Sequence, residues 1–410
     1  MNESQGNHSS INEHYYSSVR ESLVAGRKEI LVIIILIAVY VYVRFIIYPG
    51  THQYFEILII LGLVCGTWLA FRPSEWAVEG VESGAGHLGL TAYVAGMLTS
   101  LASNMPEAVV SGIAAFNGYT SGSQDLLDIA VLSVMVSAGF NMFLLGITIM
   151  IATRGKADDM EVPVEAIKKD SVLIRWTIVA LLSMFALGVV FHLNFIVSAL
   201  EQLSNGGTFN IEDIKNLSFP PIASFVLMSS YIVYAAVLVT GDVADSQEKA
   251  QPHHKKSSSI ILTLVGFIGI FFAGEILTNA VEIFLEHFST SITNLTNPVR
   301  IAALILGAAG ALPEHGIAVI AAAKGKIGLA VGNLIGGILQ IVLLVAGGIG
   351  IFVPIPLDTY VLFQIVVIAG SLWFLKRAIT DDHRLDFFEG AMIILLQAYV
   401  FILFLFPPIT

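Results

Sequence analysis

The chain has 410 residues, of which 56% are hydrophobic and only 12% charged, and its mean hydropathy is +0.82. A soluble domain carries roughly 25% charged residues, so a water-soluble globule is excluded, and a net charge of −11 gives no footing for nucleic-acid binding. The single cysteine, Cys65, excludes an intrachain disulfide and any multi-thiolate metal site.

Residues 1–28, which include NHSSINEHYYSS, are too hydrophilic and too long a lead for the n-region of a signal peptide, and are read as a polar cytoplasmic tail. Eleven apolar runs follow, near 29–48, 54–82, 90–117, 125–152, 172–200, 219–240, 259–287, 298–323, 327–351, 358–377 and 387–406. A spanning helix needs about 20 largely apolar residues. The runs lack the alternation of a transmembrane barrel, so the expected fold is an all-α polytopic membrane protein.

Lys and Arg assign the sides. Arg20, Arg27 and Lys28 precede the first run, and Arg154, Lys156, Lys168, Lys169, Arg175, Lys255, Lys256, Lys324, Lys326, Lys376, Arg377 and Arg384 cluster at loops of the same side. The opposite loops, FNGYTSGSQD and EQLSNGGTFNIED, are almost free of basic residues. The positive-inside rule then places the N-terminus in the cytoplasm and, after eleven spans, the C-terminus outside, with the cell membrane as the expected location.

The run 90–117 contains SNMPEAVV, a carboxylate directly after a proline, and the run 298–323 contains ALPEHGIAV. Aligning Glu107 with Glu314 also pairs Pro106 with Pro313, Ala102 with Ala309, Ile113 with Ile320 and Gly118 with Gly325. The two units are five spans apart, an odd number, so they lie in opposite orientations, as in secondary transporters with inverted repeats. The expected organisation is an extra helix at 29–48, a first half at 54–240 with its repeat at about 90–152, a cytoplasmic linker at 241–258, and a second half at 259–406 with its repeat at about 298–351.

Proline has no amide hydrogen and clashes with the carbonyl four residues earlier, so both helices are expected to break, freeing the carbonyls of Ala102 and Ala309. A carboxylate in the bilayer core costs at least about 2.5 kcal/mol, and neither SNMPEAVV nor ALPEHGIAV supplies a lysine or arginine. Two carboxylates with carbonyl, hydroxyl and amide oxygens suit a hard cation such as Ca²⁺. Glu107 and Glu314 are therefore the expected centre of a cation site.

At GMLTSLASNMPEAVVSG and GALPEHGIAVIAAAKGKIGLAVGNLIGGILQ the chain resembles the two repeats of the calcium/cation antiporter superfamily, which includes the sodium/calcium and cation/proton exchangers. The resemblance implies ten core helices in two inverted halves of five, a divalent-cation site between them, and alternating access. By position, Glu107 and Glu314 match the paired acids that coordinate Ca²⁺, and Ser137 and Asn141 keep the family's serine-to-asparagine spacing. Ser103 stands where sodium exchangers have threonine, and Asn104 where they have serine. Ser100, Gly307, Gly310 and Gln340 complete the expected ligand set, with the backbone carbonyls of Ala102 and Ala309.

The second repeat departs further from the sodium exchangers: Gly310, Ala311 and Gly337 replace hydroxyl residues, and Ile341 stands where Asn or Asp is usual. PEHGIAVIAAAKGKIGLA, with Gln340 beyond it, instead resembles the cation/proton exchangers, whereas the Pro-Glu pairs and GNLIGG look like sodium exchangers. The reading tips toward Ca²⁺ exchange for H⁺ rather than Na⁺ at shared carboxylates. Mg²⁺ and Mn²⁺ are alternative cargoes, since all three ions take oxygen ligands.

Glu275, mid-span, is a candidate gate or proton relay, and His315, about 100° around the helix from Glu314, is a poor partner for ligation by both. Glu79, Glu82, His253 and His254 read as solvated surface. A passive divalent-cation channel is the competing class, although an inverted repeat favours a carrier. An intramembrane hydrolase lacks both HExxH and G-x-S-x-G, so no enzyme is expected. The expected partners are inorganic cations and the lipid bilayer, with no nucleic acid, no evident protein partner and no cofactor.

Overall fold

A computed structural model describes residues 27–51, 54–154, 160–161, 170–205, 218–245, 249–292, 297–323, 327–357, 359–381 and 384–406. Most of the polar tail, together with Lys156, Lys168, Lys169, Lys324 and Lys326, lies outside the described residues. The chain divides into two units, Met1–Leu61 and Gly62–Thr410. The first holds α1, Arg27–Tyr42, which runs on through a π-helical turn at Val43–Ile47, and the opening residues of α2, Phe55–His87.

The second unit continues with α3 (Ala92–Ser103), α4 (Met105–Ser121), α5 (Gln124–Thr153), the two-residue strand β1 (Met160–Glu161), α6 (Asp170–Ser204) and α7 (Pro221–Asp245). Then come α8 (Lys256–Ile292), α9 (Pro298–Ala323), α10 (Ile327–Gln340), a π-helical turn at Ile341–Val345, α11 (Ala346–Phe352), α12 (Thr359–Asp381), β2 (Arg384–Leu385) and α13 (Phe387–Leu405). The protein is an all-α polytopic membrane protein. Among the described residues, eight helices are long and apolar enough to cross a bilayer, and Val94–Ser103, Pro221–Val237 and Pro298–Leu312 are shorter apolar helices.

Burial separates the inner helices from those facing lipid. The apolar window of α5 is 72% buried, as is that of Val331–Phe352, against 22% for α6 and 28% for α8 and α13. α5 is the hub, packing on α4, α9, α10, α12 and α13. Lipid is as apolar as leucine, so helices associate through close contact at small residues. Gly307 of α9 meets Ser133 O of α5 so closely that a Cβ there would lie 2.7 Å from it.

Short contacts between loops sort the ends of the second unit. Thr91 pairs with Lys249, and β1 pairs antiparallel with β2, matching Met160 with Leu385 and Glu161 with Arg384. One helix length away, Ser218 pairs with Pro356, and the Tyr119 hydroxyl donates to Phe352 O. At the Thr91 end, the linker is fastened to α2: the Ser83 hydroxyl accepts from His254 N at 3.0 Å, and His254 Nε2 lies 3.5 Å from Glu79 Oε2. His253 Nε2 lies 3.8 Å from Glu82 Oε1, so these four side chains lie in two close pairs away from the central site.

Two expectations about helix breaks divide. The run 90–117 is two helices, interrupted at Asn104 (φ −88°, ψ 7°), with Pro106 in the first turn of α4, where a missing N–H costs nothing. The freed carbonyl of Ala102 is capped by the Asn104 N–H. α9, by contrast, stays helical from Pro298 to Ala323 across Pro313, so the second expected break is absent. Neighbouring helices let a membrane helix tolerate an internal proline. The irregularity in this part of the chain comes later, as the π turn after Gln340.

Candidate cation site

The break between α3 and α4 brings Asn104 and Glu107 into the buried interior, with relative exposures of only 3% each. Glu107 occupies the first turn of α4, where unpaired backbone N–H groups and the helix dipole favour a negative charge. Both carboxylate oxygens are buried and make no hydrogen bond. Among the described residues no Lys or Arg pairs with Glu107; its charged-group neighbour is His315 of α9, whose Nε2 lies 3.9 Å from Oε1.

Three glycines make this approach possible. A Cβ on Gly310 of α9 would lie 3.1 Å from Glu107 Cγ. One on Gly337 of α10 would lie 2.8 Å from His315 Cε1 and 3.4 Å from Asn141 Nδ2, and one on Gly336 would lie 3.6 Å from Ser100 Oγ. The glycines at 310 and 337 thus leave room for Glu107 and His315. From α5, Ser137 borders the Glu107 carboxyl.

An amide network closes the α3 side. Asn104 Nδ2 donates to Gln340 Oε1 at 2.5 Å and to Ser100 O at 2.9 Å, and Gln340 Nε2 donates to Ser100 Oγ at 2.9 Å. The Ser103 hydroxyl is turned back onto its own helix, donating to Ser100 O at 2.8 Å. A cleft of about 490 Å³, walled mainly by apolar side chains such as Leu101, Met105, Phe116 and Leu344, reaches Asn104 and Gln340.

Among the described residues, several buried polar atoms around Glu107 make no hydrogen bond. They include Glu107 Oε1 and Oε2, Asn104 Oδ1, Ser137 Oγ and Asn141 Oδ1, with Asn141 Nδ2 and both nitrogens of His315. Burying polar groups unpaired costs about 1–3 kcal/mol each, and the oxygens match the preference of a hard cation. Among the described residues no three His, Cys, Asp or Glu side chains come together, so the donors are chiefly amides and hydroxyls around one acid.

Of the expected ligands, Glu107, Asn104, Ser137, Asn141, Ser100, Gln340 and Gly310 are linked through these contacts, with Ser103 at the edge. Gly307 is not among them: it sits against Ser133 and Val136 of α5 and serves helix packing. Ala309 is buried, and its carbonyl lacks the usual donor because residue 313 is proline. Residue 314 lies in α9 one turn beyond Gly310, and the Glu314 side chain lies outside the described residues. Glu275 is half-buried on α8, next to Gly274, which packs on Val109 and Ile113 of α4.

His315 is the residue that sequence reasoning passed over. Its angle to Glu314 on the same helix does not reveal this role, because its neighbour comes from α4, 208 residues earlier in the chain.

The sequence matches the family described as sodium/calcium exchanger protein over residues 57–240 and 258–406. It is 26% identical over 311 residues to the Ca(2+)/H(+) antiporter ChaA of Bacillus subtilis (strain 168), spanning 75% of this chain and 81% of that protein. The fold is similar to that of native YfkE, with a TM-score of 0.60 and 20% identity over 91% of this chain and 99% of that one. It is also similar to the H+/Ca2+ exchanger CAX, with a TM-score of 0.61 and 16% identity over 92% of each chain. The protein accordingly belongs to the sodium/calcium exchanger family and is a cation transporter, not an enzyme.

Proposed function

We propose that this antiporter moves Ca²⁺ across the membrane in exchange for protons, by alternating access at a site centred on Glu107, with Glu314 as the second carboxylate. The observation that carries the reading is Glu107 itself: a buried acid with no hydrogen-bond partner, bordered by orphaned oxygens and one imidazole. In a low-dielectric interior such a group is neutralised by a proton or by a cation. Each occupant excludes the other, which is the chemical basis of exchange.

Two carboxylates balance one divalent ion or two protons. The carrier then moves between inward-open and outward-open forms when neutralised, and resists the move when both acids are bare, because each ligand shifts the equilibrium by its differential affinity for the two forms. The two halves that house the acids are taken as an inverted repeat. The apolar cleft that ends at Asn104 and Gln340 supplies one approach to the site.

Protons are favoured over Na⁺ on two grounds. Glycines at 310 and 337 and isoleucine at 341 leave the second repeat with few side-chain oxygens for Na⁺, and the curated relative bears the name of a Ca(2+)/H(+) antiporter. The deciding experiment is ⁴⁵Ca²⁺ uptake into proteoliposomes under an imposed pH gradient or an imposed Na⁺ gradient. Uptake driven by the pH gradient alone, and lost in Glu107→Gln and in Glu314→Gln, is the expected result. Uptake driven by Na⁺ reassigns the counter-ion, uptake that needs no gradient points to a channel, and uptake only of Mg²⁺ or Mn²⁺ reassigns the cargo.

A further inference from the structure

A second buried polar cluster lies behind the site, on the far side of α5. Gln364 of α12 and Gln397 of α13 are 0% and 1% exposed. Gln397 Nε2 donates to Gln364 Oε1 at 3.4 Å, and Gln364 Nε2 donates to Met135 O of α5 at 3.4 Å. Both amides press on Gly139, where a Cβ would lie 2.5 Å from Gln397 Nε2 and 2.9 Å from Gln364 Nε2.

Helix geometry makes this placement pointed. At about 100° per residue, Ser137 and Asn141 lie within about 40° of each other, and Gly139 lies about 200° from Ser137. The amides therefore bear on the back of the turn whose front carries Ser137 and Asn141. Met135 O is also the carbonyl that accepts the Gly139 N–H within the helix. A side-chain donor at that carbonyl competes with the helix's own hydrogen bond at this turn.

Packing alone does not explain the pair. Two leucines would fill the same space without burying amides, and Gln397 Oε1 makes no hydrogen bond, a buried group that calls for an explanation. We propose that Gln364 and Gln397 form an amide clamp on the back of α5 that positions Ser137 and Asn141 for the transported cation. They are positioning residues: they touch the helix that carries the ligands and not the ion. The inference rests on the reading of Ser137 and Asn141 as part of the cation site.

The test uses the full-length protein in proteoliposomes, with ⁴⁵Ca²⁺ uptake measured against Ca²⁺ concentration and equilibrium ⁴⁵Ca²⁺ binding measured on the same preparations. Gln364→Leu and Gln397→Leu are expected to raise KM and Kd about 10-fold, in the range for groups that orient metal ligands, with the maximal rate per folded protein within about two-fold of wild type. Gly139→Ala is the independent variant, since the atoms nearest its methyl are the terminal amides of the two glutamines. It should raise KM similarly by expelling the amides, and should add nothing in the Gln364→Leu/Gln397→Leu background.

Unchanged KM and Kd, with any activity loss following the amount of folded protein or the maximal rate, would overturn the clamp. If the leucine variants do not fold, Gly139→Ala decides by the same criterion. Glu107→Gln is measured in parallel. Binding that survives in it removes the underlying site, whereas binding lost in it but unaltered in the clamp variants removes only the clamp.

Discussion

His315 Nε2 stands 3.9 Å from Glu107 Oε1, with the histidine fully buried and neither group hydrogen-bonded. The separation is too long for a hydrogen bond and short enough for one to form with a small side-chain movement. An imidazole this close bears directly on how the carboxylate holds a cation. His315→Gln keeps a polar group and removes the imidazole. The expected outcome is a KM for Ca²⁺ raised about 10-fold, in the range for groups that orient metal ligands, measured by ⁴⁵Ca²⁺ uptake at a single pH. An unaltered KM would show that the imidazole is a spectator.

Glu107→Gln retains shape while removing the charge that a divalent cargo needs. Uptake is expected to fall at least about 100-fold, more than for loss of a group that only orients a ligand. Glu107→Asp, which draws the carboxylate back by one methylene, should retain measurable uptake with a raised KM. Equal activity of wild type and Glu107→Gln would remove this acid from the transport cycle.

Gly337→Ala separates transport from stability. Replacing a glycine in a helix interior by alanine ordinarily stabilises by about 1 kcal/mol, but the new methyl at this position would lie 2.8 Å from His315 Cε1. The imidazole must move, and with it the contact to Glu107. Reduced transport with an undiminished thermal unfolding midpoint in detergent is expected. Gly332→Ala, on the same helix with nothing within 4 Å of the added methyl, is the control that should leave transport unchanged.

Residues whose chemistry is local were the readable ones. Glu107 stood out because an acid after a proline is costly inside an apolar run, whereas Asn104, Ser137 and Asn141 were reached through the resemblance to the exchanger repeats. The Asn104–Gln340 bridge joins residues 236 positions apart, and no periodicity reports such a pairing. The two prolines gave the same signal, yet only the helix before Pro106 breaks, while α9 continues through Pro313. The π turn at Ile341–Val345 carries neither proline nor glycine to mark it. Gln364 and Gln397 were unmarked as well, since amides in apolar helices gain meaning only from the backbone against which they fold.

Cys65 is buried and is the only cysteine, which makes the topology testable. In a Cys65→Ser background, Lys249→Cys and Ser218→Cys should react with a membrane-impermeant thiol reagent from opposite faces of the membrane, because their bridge partners Thr91 and Pro356 mark opposite ends of the helices. The positive-inside rule assigns Lys249 to the cytoplasmic face. Labelling of both from one side would contradict the alternation of spans.

The amide bridge lends itself to a double-mutant cycle. Asn104 Nδ2 and Gln340 Oε1 are 2.5 Å apart in a buried setting, so Asn104→Ala leaves the Gln340 oxygen without its partner, at a cost of about 1–3 kcal/mol. Part of that cost falls on cation binding, because Asn104 Oδ1 is one of the orphaned oxygens. Gln340→Ala removes the bridge but leaves that oxygen in place. Asn104→Ala should therefore raise the Ca²⁺ Kd more than Gln340→Ala, with the double variant less impaired than the sum of the two by about 0.5–3 kcal/mol. Strict additivity would mean that the two amides act separately; equal single effects would mean that Asn104 contributes through the bridge alone and not as a ligand.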